Sequence, residues 1–144
     1  MIYKPLFSCL YNSVLVLSFV GKDYLASYLS KQYFIMALTT KEKSALKHFK
    51  ASLKQALGSQ LTELKLFGSK AHGDDQPGSD IDVLTIIESD DWHIRDTVYD
   101  VATDILLQMD VCISPKVISK NRFDRLCKEG TSFIHNVSRD AITV

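Results

Sequence analysis

Residues 66–87 read LFGSKAHGDDQPGSDIDVLTII, and the fold turns on this stretch. It leaves an apolar run (Leu64, Leu66, Phe67) through a Gly68–Ser69 turn, crosses a polar loop, and enters a second apolar run. That run opens with two aspartates one residue apart, Asp80 and Asp82. Side chains alternate between the faces of a strand, so residues i and i+2 point the same way. Two carboxylates side by side raise each other's energy unless a cation lies between them. A hard divalent ion such as Mg²⁺ suits carboxylate oxygens and usually reaches its site together with a substrate phosphate. At the other end, Gly68 frees the backbone to turn. Backbone N–H groups there, with the Ser69 hydroxyl and Lys70, make a site for phosphate oxygens. One half of the stretch takes phosphate and the other takes the metal that bridges to it. This is the pattern of phosphoryl or nucleotidyl transfer with two metal ions. The plainer alternative is a polar hairpin loop in which Asp80 only caps a turn.

The rest of the chain bounds this reading. Its 144 residues are one domain's length, and 46% hydrophobic with 24% charged residues is ordinary for a globular protein with a core. Lys and Arg number 17 against 17 Asp and Glu, so the chain lacks the electrostatic footprint of a general nucleic-acid binder. Cys9, Cys112 and Cys127 are an odd number at unrelated spacings, neither a disulfide framework nor a zinc site. A reducing cytoplasm is the expected home. The uncharged run from Pro5 to Val20 is short of the roughly 20 residues that span a bilayer. No small-x-small cleavage site follows it. Residues 1–35 are therefore expected to be an N-terminal extension and 36–144 the functional domain, with Met36 as a candidate start of translation.

From Met36 the pattern is regular. Thr39 and Glu42 form a capping box. Leu46, Phe49, Leu53, Ala56 and Leu57 then recur at helical spacing until Gly58 closes the helix. Lys43, Lys47, Lys50 and Lys54 occupy its other faces as a solvated surface. Strands are expected at Glu63 to Phe67 and Ile81 to Ile87, the second central and covered on both sides. Ser89 or Asp90 caps a helix whose inner stripe is Ile94, Val98, Val101, Ile105 and Met109. Trp92 is expected to cover the core edge. A third strand is expected from Asp110, with Pro115 placing it near an edge or bulge. A short helix follows from Ser119 to Lys128, with Phe123, Leu126 and Cys127 inward. The arm after it offers Phe133, Ile134, Val137 and Ile142 to the domain or to a partner.

Gly68-Ser69, a spacer, then Ser79-Asp80-Ile81-Asp82 and an apolar run resembles the signature of the DNA polymerase β-like nucleotidyltransferases. In detail it is similar to their small bacterial and archaeal branch, the minimal nucleotidyltransferases, from about Thr39 onward. The resemblance implies an α/β (α+β) fold with a central mixed sheet of about three to five strands flanked by helices. It implies nucleotide binding at Gly68, Ser69, Lys70 and Ser79, and metal binding and catalysis at Asp80, Asp82 and a third carboxylate on the neighbouring strand, assigned to Asp110. Relatives often carry that acid two residues later, where this chain has Cys112 on the same face, and many carry Arg where His72 stands.

The implied reaction is Mg²⁺-dependent transfer of AMP from ATP to a hydroxyl. Members of the branch are often antitoxins of HEPN-domain toxins, so the implied acceptor is a tyrosine of such a partner. Two rivals remain: an idle module that neutralises its partner by occlusion, and transfer to a small molecule such as an aminoglycoside. The second rival calls for an added substrate domain, for which 36–144 is short. A homo-oligomer is compatible with either, and no membrane partner is expected.

Overall fold

The computed structural model describes residues 38–72 and 78–144, all within one compact unit of the chain, Phe34–Val144. Of Ala71, His72 and residues 138–140 it describes the backbone alone. The expectations for residues 1–35, for Met36 and for the loop 73–77 lie outside the described residues.

Helix α1 (Thr40–Leu57) starts where the capping box places it: the Thr39 side chain accepts from the Glu42 N–H, and the Glu42 carboxylate accepts from the Thr39 N–H at 2.8 Å. Two orphan donors of the first turn are thereby satisfied. Ala45, Leu46, Phe49 and Leu53 form its buried face, and Gly58 ends it at φ 51°. A 3₁₀ turn, Gly58–Gln60, leads into β1 (Leu61–Phe67). Then come one helical turn, α2 (Ser69–His72), strand β2 (Ile81–Ile87) and helix α3 (Trp92–Met109). Strand β3 (Ile113–Ser119), helices α4 (Lys120–Glu129) and α5 (Ser132–Asp140), and the short β4 (Ile142–Thr143) complete the chain.

The four strands form one mixed sheet in the order β3-β2-β1-β4. β1 is antiparallel to β2 and β4, and β2 is parallel to β3, which α3 makes possible as the crossover. Every residue of β2 except Asp82 is buried, which requires cover on both faces. One face packs on Phe49 and Leu53 of α1 and Val98 and Ile105 of α3. The other packs Leu84 and Ile86 against Ile118 and Val137, with Phe67 and Phe133 edge-to-face at 6.1 Å. Fully burying a side chain the size of Phe49 or Leu53 contributes about 1.5–3 kcal/mol, and the start of β2 sits between these two layers. Among the described residues no helix is long and apolar enough to cross a membrane.

Several local expectations are corrected. β1 starts at Leu61 rather than Glu63, because a register shift between Leu61 and Glu63 lets Leu61 still pair with Ile87. Asp91, not Ser89 or Asp90, caps α3 by accepting from the His93 N–H at 2.9 Å. Trp92 is 63% exposed and stacks on His93 instead of covering the core. Cys127 is exposed instead of inward. Of the two places expected for the C-terminal arm, it takes the domain: Ile134, Val137 and Ile142 are buried, and β4 pairs Ile142 with Leu66.

Candidate active site

The β1–β2 register sets Phe67 opposite Asp82, so the Gly68 turn at the end of β1 lies beside the start of β2. Gly68 has φ +86°, a conformation that costs an L side chain but not glycine. A Cβ on Gly68 would overlap Asp82 Oδ2 and lie 3.1 Å from the Asp82 Cβ and Cγ. Glycine is thus required twice, by the turn and by the carboxylate packed on it. The two motifs, separated in sequence by the polar loop, meet at one spot.

Strand β3 supplies the third side. Ile81 pairs with Ile113 and Asp82 with Ser114, and the Ile81 N–H donates to the Cys112 carbonyl at 2.9 Å. Burial, then the negative charge of Asp80, hold the Asp82 carboxyl above the ordinary aspartate range, against a partial pull from Lys116 and a Ser114 hydrogen bond. Burial also pushes the Cys112 thiol up, helped by its hydrogen bond with Asp80 and by the charges of Asp80 and Asp82. These are the signs expected where burial and neighbouring negative charge act together.

The structure brings some of the expected residues together and sets others apart. Asp80 is exposed, Asp82 half-buried, and Ser69 exposed at the start of α2. Ser79 O–H is buried and has no hydrogen-bond partner among the described residues. Such an orphan beside Asp80 is a place for a ligand atom. Lys70 is 3% exposed, and its Nζ donates to Glu42 Oε1 at 2.6 Å. Asp110 is not gathered with the acid pair into a metal-holding group. It caps the C-terminus of α3 in the left-handed conformation at φ 48°, so the third strand begins only at Ile113. Its side chain is 95% exposed and pairs with Lys41 at 3.1 Å. Cys112, just before β3, acts on Asp80, and Ser114 and Lys116 on the strand act on Asp82.

Two carboxylates suit one Mg²⁺, which commonly takes one or two from protein and the rest from water and phosphate. Among the described residues no group of three or more His, Cys, Asp or Glu is gathered to hold a metal ion. The donor set therefore fits a cation whose remaining ligands arrive with a nucleotide. A cavity of about 370 Å³ opens at the other end of β2, beside Glu88, Ser119 and Arg125, and includes no part of the acid pair.

Sequence reasoning missed Glu42 as a neighbour of the site, 28 residues from Lys70. The signal was divided: Glu42 is fully explained by its capping box, and no local periodicity relates it to Lys70.

Comparisons with known proteins bear on the same residues. Residues 46–132 match the family described as "Nucleotidyltransferase domain". A protein of Methanocaldococcus jannaschii provisionally named protein adenylyltransferase MJ0604 is 36% identical over 96 residues, 67% of this chain and 90% of that protein. A second protein of that organism, with the same provisional name and the label MJ0141, is 31% identical over 69% of this chain and 94% of its own length. A chain of a solved structure described as a toxin-antitoxin with AMP-PNP aligns at 17% identity and a TM-score of 0.41, over 66% of this chain and 68% of that one. That likeness is too weak to bear on the fold.

Proposed function

The chain belongs to the nucleotidyltransferase domain family, and from that premise we propose that its 36–144 domain transfers AMP from ATP to a hydroxyl on a partner protein. The observation that carries the reading is the seating of the Gly68 turn directly on the Asp82 carboxylate, with Asp80 one residue away. That seating supports one site in which the turn takes phosphate and the acid pair takes the metal. The provisional name of the two M. jannaschii relatives supports a protein as the acceptor.

In this mechanism Asp80 and Asp82 would hold Mg²⁺. When bound, the ion neutralises phosphate charge and lowers the pKa of the attacking hydroxyl. The Gly68–Ser69 backbone and the Ser69 and Ser79 hydroxyls donate to the polyphosphate and orient it, so the α-phosphorus faces the acceptor oxygen. That oxygen gives up its proton to solvent and forms its bond to the α-phosphorus as the α–β phosphoanhydride breaks, and pyrophosphate departs toward the turn. Donors fixed beforehand on the departing charge lower the barrier because they need not reorganise. The acceptor is proposed to be a HEPN-type toxin, which the chain would silence as an antitoxin, in the cytoplasm where ATP and Mg²⁺ are present.

One observation favours a second reading, neutralisation by occlusion with an idle site. The position beside Asp80 at the entry to β3 carries Cys112 rather than a carboxylate, and Asp110 pairs with Lys41. The experiment that separates the two is incubation with Mg²⁺ and α-labelled ATP, with and without the product of the adjacent gene. Label on that product, lost in a folded Asp82→Ala variant, supports transfer. A stable unlabelled complex supports occlusion.

A further inference from the structure

The Glu42 carboxylate is engaged on both oxygens. Oε2 accepts from the Thr39 N–H at 2.8 Å and from its hydroxyl at 3.0 Å, while Oε1 accepts from Lys70 Nζ at 2.6 Å. The two side chains are 13% and 3% exposed. Burial works against the Glu42 charge, but the hydrogen bonds from Lys70 and Thr39 and the Lys70 charge outweigh it, so its carboxyl titrates below the ordinary range. Breaking this pair would take a short, charge-assisted hydrogen bond from both side chains at a largely buried spot, which is costly. The Lys70 side chain is therefore held toward Glu42. Its place in the chain is telling: it follows Ser69 directly and lies on α2, a helix of four residues. A single turn closes few hydrogen bonds against the entropy of fixing its backbone, so it does not hold itself. It needs an anchor.

We propose that Glu42 and Lys70 are a positioning couple that clamps α2 to the start of α1 and so fixes the Gly68–Ser69 turn against Asp82 for the nucleotide. Lys70 acts through Glu42 rather than by touching phosphate. The inference rests on the nucleotidyltransferase reading for its consequence, but the clamp itself is a property of the fold.

The test uses the full-length protein and four variants: Glu42→Gln, Lys70→Met, the double variant, and Thr39→Ala. Two readouts are taken, hydrogen exchange of the peptide covering residues 66–72 and the ATP concentration dependence of transfer. Both single variants should speed exchange in that peptide. Both should lower kcat/KM for ATP roughly tenfold to a hundredfold, as misplacement by about 1 Å does, and the double variant should be no worse than either. Thr39→Ala, which weakens the cap but leaves the pair, should lower the melting temperature without changing either readout. A Glu42→Gln protein that uses ATP as well as the wild type, beside a weakened Lys70→Met, would overturn the proposal and make Lys70 a direct phosphate ligand. Unchanged exchange in both single variants would overturn it as well. A wild type without turnover would defeat the nucleotidyltransferase reading and leave the exchange result to judge the clamp alone.

Discussion

Replacing Gly68 with alanine tests the meeting of the two motifs most sharply. At φ +86° an L residue is strained, at a cost of about 1–3 kcal/mol. The new Cβ also overlaps Asp82 Oδ2, with 3.1 Å to the Asp82 Cβ and Cγ. Of these atoms only Cβ is fixed to the β2 backbone, so relief comes from turning the carboxylate off its rotamer, at about 0.5–1.5 kcal/mol. The sum is roughly 1.5–4.5 kcal/mol. For a domain of this size that lowers the melting temperature by roughly 10 °C, judged from the size scaling of unfolding entropy. The displaced carboxylate should cost transfer about a hundredfold beyond any loss of folded protein. Thermal melting followed by circular dichroism gives the first number. Transfer from α-labelled ATP, measured well below the melting point, gives the second. A Gly68→Ala protein with wild-type melting and wild-type transfer would refute the close packing of turn on acid.

Three further predictions concern the acids and their neighbours. The Asp82 carboxyl is held above the ordinary aspartate range, so the cost of its charge to the folded state builds as pH rises from the ordinary value to the raised one and is full above it. Asp82→Asn should therefore melt higher than wild type near pH 7 without Mg²⁺, the gain fading as pH falls through the carboxylate range, while transfer is abolished; melting curves over pH 3–8 check the sign. Cys112→Asp places a third carboxylate beside Asp80, and should melt lower without Mg²⁺, gain more than wild type from added Mg²⁺, and transfer about tenfold faster or better. Asp110→Asn should leave transfer unchanged and cost at most about 1 kcal/mol, since its ion pair with Lys41 is exposed; a large loss of turnover in this variant would return Asp110 to the site.

Much of this was legible in the residues. The capping box at Thr39 and Glu42, the stripe from Ile94 to Met109, and β2 with its entry acids were readable because each depends on neighbours within a few positions. The place of Asp110 was hidden for a local reason. The same residue that could open a strand can end a helix in the left-handed conformation, which aspartate tolerates better than most. Helix α3 ran on to Met109 and took it. The third strand then began three residues later, which brought Cys112 rather than Asp110 beside the pair. The tail was readable as apolar but not as a helix and a fourth strand, since its partners, Phe67, Leu66 and Ile86, lie far back in the chain. The Glu42–Lys70 pair escaped for the same cause. Long-range pairing leaves no periodic trace, and each partner already had a sufficient local explanation.

The central claim is transfer of AMP to protein at Asp80 and Asp82. Its most direct measurement is incubation of the purified protein with Mg²⁺ and the adjacent gene product, in parallel with α-labelled and γ-labelled ATP. The account predicts protein-bound label from the α-position alone, release of pyrophosphate, and loss of both in Asp82→Ala folded to the same melting cooperativity. Protein-bound label from the γ-position, or transfer that survives in that variant, would contradict it.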